Sequence, residues 1–134
     1  MERGGVRQTF TTDPRCSRKV RAFVTRCLDR AGASDATAFE ILVATTEAVA
    51  NVVKHARSSR SFEVSCDTEG RSVVVTVRDR GPGIRHEGDL GRDPGVEQTR
   101  GRGLFLIREL MDVVVVDSSE EGTTVAMKRR LLTA

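Results

Sequence analysis

The stretch ILVATTEAVANVV, residues 41–53, is apolar or small on nearly every side when it is wound into a helix. A helix of this kind is buried against other elements, so the chain has to build a core around it. The stretch nevertheless contains Glu47 and Asn51, which are four residues apart and therefore lie on one face, one turn from each other. The fold thus has to accommodate two polar side chains on its most apolar helix.

No basic residue stands three or four positions from Glu47, so no ion pair within the helix can neutralise its carboxylate. A buried or half-buried charge without a cationic neighbour is costly, which makes a bound cation, a water molecule or a ligand an attractive partner. The alternative is that Glu47 faces solvent at the helix edge and that Asn51 caps a neighbouring loop. His55, one further turn along, is interpreted as a structural or helix-terminus residue.

Two helices are predicted in the first half of the chain. Apolar residues recur at helical spacing between an Asp13–Pro14 pair, typical of a helix start, and Gly32, the residue type expected at a helix C-terminus. The second helix contains the stretch described above and is longer and more apolar. Ser34 or Asp35 can cap it, and it should end near Ala56.

Alternating apolar and polar residues predict five strands, with one more helix between the third and the fourth. The strands are VRQTFTT, then SFEVSCDT and RSVVVTVRD joined by a hairpin at Glu69–Gly70, and VVVVDS and GTTVAMKR joined through Glu121–Gly122. The added helix is GLFLIRELMD. Residues 80–101 hold six glycines and two prolines and are predicted to form a long functional loop or lid. The order β-α-α-β-β-lid-α-β-β is typical of an α+β sandwich.

Length and composition narrow the class of protein. A chain of 134 residues with 38% hydrophobic and 31% charged residues fits one domain with a real core. The net charge is only +3, and no Tyr or Trp interleaves with the basic residues, so nothing indicates nucleic-acid binding. The apolar run Val113–Val116 is far too short to span a membrane and the N-terminus lacks an apolar signal core, so we expect a cytoplasmic protein.

The chain has three cysteines, Cys16, Cys27 and Cys66, and no CxxC pair. An odd number without that spacing indicates neither a disulfide framework nor a zinc site. We therefore expect reduced, partly buried thiols.

The hexapeptide DRGPGI, residues 79–84, follows directly on a predicted strand. Gly81 and Gly83 allow positive φ and the close approach of a flat ligand, while Pro82 stiffens the bend between them. Asp79 offers only acceptors when ionised, so the exocyclic amine of a base is a natural donor to it. An Asx-type turn with Asp79 satisfied by local amides is an equal alternative.

Two weaker motifs follow. GRGL at residues 101–104 opens the third helix, where unpaired N–H groups and the positive end of the helix dipole suit phosphate. A flexible glycine hinge is the alternative there. The pair Thr123–Thr124 after Gly122 indicates little alone, because threonines are ordinary strand residues.

Taken in order, EAVANVVKHA, DRGPGI, GRGL and EGTTV resemble the N, G1 and G2 boxes and the terminal threonine strand of the histidine-kinase-like (GHKL) ATPases. Within that superfamily, the short length and the run GRGLFLIRELMDVVVV look most like the bacterial anti-sigma factor serine/threonine kinases. The resemblance covers residues 8–130. It implies a Bergerat-type two-layer α/β sandwich, whose mixed, mostly antiparallel sheet is covered by three helices on one face. Residues 1–134 would form one ATP-binding domain with an ATP lid at residues 84–101.

The resemblance also implies roles at the phosphate end of the site. Asn51 would coordinate the Mg²⁺ that bridges the ATP phosphates. Glu47 would be the base that takes the proton from the attacking hydroxyl, a role consistent with its lack of a basic helical partner. The other residues expected to bind here, with Arg100 taken as the phosphate contact of the lid, are Arg100, Gly101, Arg102, Gly103 and Leu104.

At the adenine end, the resemblance implies that Asp79 accepts a hydrogen bond from the adenine amine. Thr123 or Thr124 would support Asp79 and the base. The glycines and the apolar residue expected to shape this pocket are Gly81, Gly83 and Ile84.

The partners implied by the resemblance are proteins. The phosphoryl group would go from ATP to a serine or threonine of an anti-anti-sigma factor, the same kinase would alternatively hold a sigma factor inactive, and it would form a homodimer. No direct contact with nucleic acid or with a membrane is expected.

One alternative is a nucleotide-binding regulatory module that controls a partner without significant phosphoryl transfer. A sensor histidine kinase fragment is a third reading, disfavoured because no dimerisation helix pair with a phospho-acceptor histidine precedes the ATP-binding pattern.

Overall fold

The computed structural model describes residues 5–55, 61–79, 104–119 and 122–131. Its elements follow the predicted order. They are β1 (Gly5–Thr11), α1 (Cys16–Ala31), α2 (Asp35–His55), β2 (Ser61–Glu69), β3 (Ser72–Asp79), β4 (Val113–Ser119) and β5 (Gly122–Arg130). Between β3 and β4, residues 104–110 are helical and are called α3.

The five described strands form one sheet in the order β1-β2-β3-β5-β4. Each of the four neighbouring pairs is antiparallel, so the described sheet is not mixed as the resemblance had implied. Alternate residues are buried along the inner strands, as at Val73, Val75 and Val77 of β3, and the residues between them are half-exposed. The helices pack on the buried face, which confirms the predicted two-layer α+β sandwich.

The core lies between the sheet and the helices. The buried stripe of α1 recurs every three or four residues, as expected for a helix with one face on a sheet. At one end, the ring of Phe10 in β1 lies 5.7 Å from that of Phe23 in α1 and 5.8 Å from that of Phe62 in β2. Ile107 of α3 and Met111, the residue directly after α3, belong to the same cluster. All three helices therefore share one core with the sheet.

The two ends of α1 differ in how well the sequence predicts them. Gly32 has φ 77°, and its N–H donates to the Asp29 carbonyl at 3.1 Å, as predicted for a glycine C-cap. At the start, the N-cap residue is Arg15 rather than Asp13, so that prediction was wrong by two residues. The Asp13 carboxylate instead accepts from the Arg15 N–H at 2.7 Å and from the Thr11 hydroxyl. These hydrogen bonds, that of Thr11 first, lower the pKa of Asp13.

The turn between β2 and β3 lies one residue later than predicted. Glu69 pairs with Ser72 and so remains in the ladder, which leaves Gly70 and Arg71 as a two-residue loop. Gly70 has φ 61°, as the first central residue of a type II′ turn requires.

Cys27 of α1 and Cys66 of β2 form a disulfide between the helix layer and the sheet, with their Cα atoms 6.5 Å apart. The expectation of reduced thiols is therefore wrong for these two residues. They are 39 positions apart, and each lies on the buried side of its own element, so only the packing of α1 on the sheet brings them together. Cys16 is free and buried, and burial followed by the charge of Asp13 raises the pKa of its thiol.

The segment Asp35–Val53 of α2 is long and apolar enough to cross a membrane by length and composition, with a mean hydropathy of 1.4. The core helix of a soluble protein passes the same test. Here α2 packs against α1, β3 and β5, and its buried residues belong to the core cluster. We therefore interpret α2 as a core helix.

Reduction of the Cys27–Cys66 disulfide should destabilise the protein, because the crosslink restricts the unfolded chain. A crosslink over this separation contributes about 2–4 kcal/mol. We expect a reductant to lower the urea midpoint of the wild type and of Cys16→Ser, but not that of Cys27→Ser. In denatured, unreduced protein, one thiol should react with a thiol reagent, and three reactive thiols would contradict the crosslink.

Candidate functional site

The end of β3 places a carboxylate inside the core. Asp79 is 2% exposed, and within the described ranges it is the only buried residue among the Asp, Glu, Lys and Arg side chains. It continues the alternation of Val75 and Val77 and therefore projects from the helix-covered face of the sheet. A carboxylate at such a depth has to be solvated by protein groups or by a ligand.

A row of polar residues crosses the sheet at this level. Asp79 stands directly opposite Thr123 of β5, which stands opposite Ser118 of β4. Directly opposite residues in antiparallel strands project from the same face, so all three are on the helix side. The hydroxyl oxygens of Ser118 and Thr123 are 3.1 Å apart and hydrogen-bonded. We call Asp79, Thr123 and Ser118 the polar row.

The two adjacent threonines point to opposite faces of the sheet. Thr124 pairs with Arg78 and Asp117 and lines a shallow cavity of about 480 Å³ on the open face. Only Thr123 shares a face with Asp79. Of the two threonines that the sequence left open, Thr123 is therefore the one that the register favours for supporting Asp79.

The sequence patterns did not identify Ser118 as a candidate site residue. Its hydrogen bond to Thr123 depends on the register between β4 and β5, which the alternation of apolar residues does not specify. The one signal in the sequence was the short Glu121–Gly122 connection, because a tight turn sets the pairing of the strands that it joins.

Helix α2 carries the second group of site residues. Glu47 and Asn51 are both half-buried and lie one turn apart at the edge of the buried stripe of α2. Within the described part of the chain, none of the ion pairs involves Glu47. Among the described residues, the Glu47 carboxylate therefore has no basic partner, as its helical neighbours predict.

The other polar residues in the middle of α2 are satisfied inside the helix. The Thr45 hydroxyl donates to the Ile41 carbonyl at 2.8 Å, and the Thr46 hydroxyl donates to the Leu42 carbonyl at 2.9 Å. Considering only the residues that the structure describes, Glu47 and Asn51 are the polar side chains in this part of α2 for which no such helical hydrogen bond is found.

The donor set fits Mg²⁺ only together with a substrate. Within the described ranges, no group of three or more His, Cys, Asp or Glu side chains is arranged to hold a metal ion. Mg²⁺ is commonly bound by one or two protein oxygens plus substrate phosphates and water. The amide oxygen of Asn51 can supply one such ligand, so the residues present are compatible with a metal that arrives with a nucleotide.

Several predicted site residues lie outside the described ranges. They are Gly81, Gly83, Ile84, Arg100, Gly101, Arg102 and Gly103. Leu104 is the first described residue of α3, where it is half-buried and packs against the core cluster.

Residues 10–129 match the family model described as a histidine kinase-like ATPase domain. Serine-protein kinase RsbW of Staphylococcus aureus strain bovine RF122 / ET3-1 is 30% identical over 126 residues, covering 82% of this chain and 76% of the relative. The protein of the same name from strain MRSA252 shows the same identity and coverage.

Two solved structures show the same fold. The crystal structure of the RsbU and RsbW domains of a Mycobacterium tuberculosis protein aligns with a TM-score of 0.76 at 22% identity, over 98% of this chain. This chain spans 33% of that one. The histidine kinase domain of a blue-light activated histidine kinase from Erythrobacter litoralis aligns with a TM-score of 0.53 at 24% identity, over 71% of this chain and 48% of that one. At these identities the likeness concerns the fold alone.

The two threonines provide a matched pair of variants for the predicted ATP site. Thr123→Val should weaken Mg-ATP binding about 5- to 10-fold, because it removes a hydroxyl from the polar row. Thr124→Val makes the same change on the open face and should alter the dissociation constant by less than about twofold. Calorimetric titration measures both. Equal losses, or a loss in Thr124→Val alone, would contradict the placement of the base on the helix-covered face.

Proposed function

This chain belongs to the histidine kinase-like ATPase domain family, and on that premise we propose that it is an ATP-dependent serine/threonine protein kinase and anti-sigma factor. In this proposal it binds a sigma factor, and it phosphorylates an anti-anti-sigma factor that competes for it. The observation that carries the proposal is the buried carboxylate of Asp79 beside Thr123, on the face of the sheet that α2 covers.

The polar row supports adenine recognition. An ionised Asp79 can only accept hydrogen bonds, and the exocyclic amine of adenine is a donor. The Thr123 hydroxyl can donate to or accept from the base or a bridging water, and its bond to Ser118 limits its orientation. Adenine would therefore insert edge-on between the helices and the sheet, with its amine toward Asp79.

Helix α2 supports the phosphoryl-transfer step. The Glu47 carboxylate would accept the proton of the attacking serine or threonine hydroxyl. Asn51, one turn away, would hold the metal ion through its amide oxygen. When bound, Mg²⁺ neutralises charge on the phosphates. Phosphoryl transfer depends mainly on positioning and charge neutralisation, so a small site can support it.

The protein partners are proposed from the relatives. Proteins named serine-protein kinase RsbW are 30% identical to this chain over most of both lengths, which supports a serine as the acceptor. In agreement with the sequence resemblance, the protein would form a homodimer and act in the cytoplasm on a sigma factor and its antagonist.

Mg-ATP binding should depend on Asp79. In calorimetric titrations, we expect Asp79→Asn to weaken Mg-ATP binding more than about tenfold, because the neutral amide is a weaker acceptor and replaces one carboxylate oxygen with a donor. Mg-GTP should not bind the wild type, because guanine has a carbonyl where adenine has its amine. Calorimetry suits a chain without Trp or Tyr. Failure of folded wild type to bind Mg-ATP would contradict any nucleotide-dependent function.

Glu47→Gln should separate binding from transfer. The variant keeps the shape of the side chain but cannot take a proton, so transfer of labelled phosphate from ATP to a purified anti-anti-sigma factor should fall at least about 100-fold. Mg-ATP affinity should change by less than about threefold. Glu63→Gln, the same change on the open face of the sheet, is the control and should transfer normally. Wild type that binds Mg-ATP without transferring phosphate would support the regulatory-module alternative instead.

A further inference from the structure

Arg129, near the end of β5, joins three elements of the fold. Its Nη1 donates to the carbonyl of Leu110, the last residue of α3, at 2.5 Å. Its Nη2 donates to Oε1 of Glu40 in α2 at 2.7 Å. The Arg129 side chain is 17% exposed. The rigid fork of the guanidinium lets one side chain bind both groups at once, which a lysine ammonium on a single stem does less well.

The side chain of Arg129 lies on the same face of the sheet as the polar row. Arg129 stands opposite the buried Val73, just as Thr123 stands opposite Asp79. The two positions are six residues apart along β5, or about 20 Å. Strand β5 therefore carries a polar-row residue at one end and the bond to α2 at the other.

The backbone around Arg129 is itself held. The N–H of Asp112, just after α3, donates to the Lys128 carbonyl at 2.8 Å. The N–H of Arg130 donates to the Asp112 carboxylate at 2.6 Å. Because both neighbours of Arg129 are bonded to the segment after α3, its side chain extends toward α2 from a fixed base.

Glu40 belongs to the same face of α2 as the proposed reacting groups. It precedes Glu47 by seven residues and Asn51 by eleven. At 3.6 residues per turn these separations bring all three within about 40° of one another around the helix. All three are half-buried. A rotation of α2 that moved Glu40 would therefore move Glu47 and Asn51 with it.

An exposed ion pair elsewhere in the chain shows the contrast. Arg7 and Glu63 lie 3.7 Å apart on the open face of the sheet, with the Arg7 side chain 72% exposed. Such a pair contributes little and constrains little. The Arg129–Glu40 pair is shorter, and its arginine is far less exposed than Arg7, although the Glu40 side chain is 41% exposed. Arg129 also binds a main-chain carbonyl at a helix end that otherwise lacks an intrahelical partner.

We propose that Arg129 is a positioning residue for the nucleotide site. By holding Glu40 and the end of α3 to β5, it fixes the rotation of α2 and so places Glu47 and Asn51 relative to Asp79 and the polar row. The inference rests on the proposed function, in which these two α2 residues act at the phosphate end. Arg129 does not touch the nucleotide, so its loss should disturb the phosphate end and spare the adenine end.

The test compares two ligands in the same variants. Mg-ATP uses both ends of the site, whereas adenosine uses only the adenine end. In calorimetric titrations, we expect Arg129→Gln to weaken Mg-ATP binding about tenfold and adenosine binding less than about twofold. Glu40→Gln should act in the same direction, and the double variant should be no weaker than the more affected single variant, because both changes remove one interaction. Arg7→Gln, which removes an arginine of equal charge on the open face, should leave both affinities unchanged.

The ratio of the Mg-ATP affinity to the adenosine affinity distinguishes a positioning role from a purely stabilising one. If Arg129→Gln weakens Mg-ATP and adenosine binding by the same factor, or changes neither, the positioning role is overturned and Arg129 is a stabilising residue only. If Arg129→Gln does not fold by circular dichroism, Glu40→Gln and Arg129→Lys carry the same comparison, since each keeps part of the contact. Wild type that binds adenosine but gains no affinity from the phosphates of Mg-ATP would overturn both this inference and the proposed function.

Discussion

The packing of α2 against the sheet is the contact on which the other features of the molecule depend. Its buried side is made of small and branched residues that are almost fully enclosed, namely Ile41, Ala44, Ala48, Val49 and Val52. The alanines let the helix axis approach the sheet closely, and any rotation would expose apolar surface at about 25 cal/mol per Å². The position of Glu47 and Asn51 at the edge of this contact is therefore set first by core packing, to which the Arg129–Glu40 contact is proposed to add.

The sheet determines on which of its two faces each polar residue of the site lies. Because the strands alternate strictly, Asp79 is held on the helix-covered face in the same way as the three valines that precede it on that side of β3. Thr123 and Ser118 reach the same face through the register of β5 and β4. A ligand that contacts Asp79 has to enter between the sheet and the helices, on the face of β3 against which α2 packs. In the proposed function, base recognition and phosphate chemistry would thus belong to different layers of one sandwich.

Local patterns in the sequence predict most of the fold and miss what depends on distant pairing. Alternation and helical spacing locate the five strands and α1 and α2, and Gly32 marks the end of α1, because each signal is a property of neighbouring residues. The Cys27–Cys66 disulfide and the Glu40–Arg129 bond join residues 39 and 89 positions apart, which no local pattern contains. The hairpin turn was misplaced by one residue, because the pattern does not show whether Glu69 stays in the ladder. The same lack of register left Thr123 and Thr124 undistinguished.

The most direct measurement is a crystal structure of the protein with Mg²⁺ and a non-hydrolysable ATP analogue. We expect the adenine amine to lie about 3 Å from the Asp79 carboxylate, on the helix-covered face beside Thr123. We also expect the Asn51 amide oxygen about 2.1 Å from the metal ion, with Glu47 near the terminal phosphate. A nucleotide bound on the open face near Thr124, or one that makes no contact with Asp79, would contradict the assignment of the site.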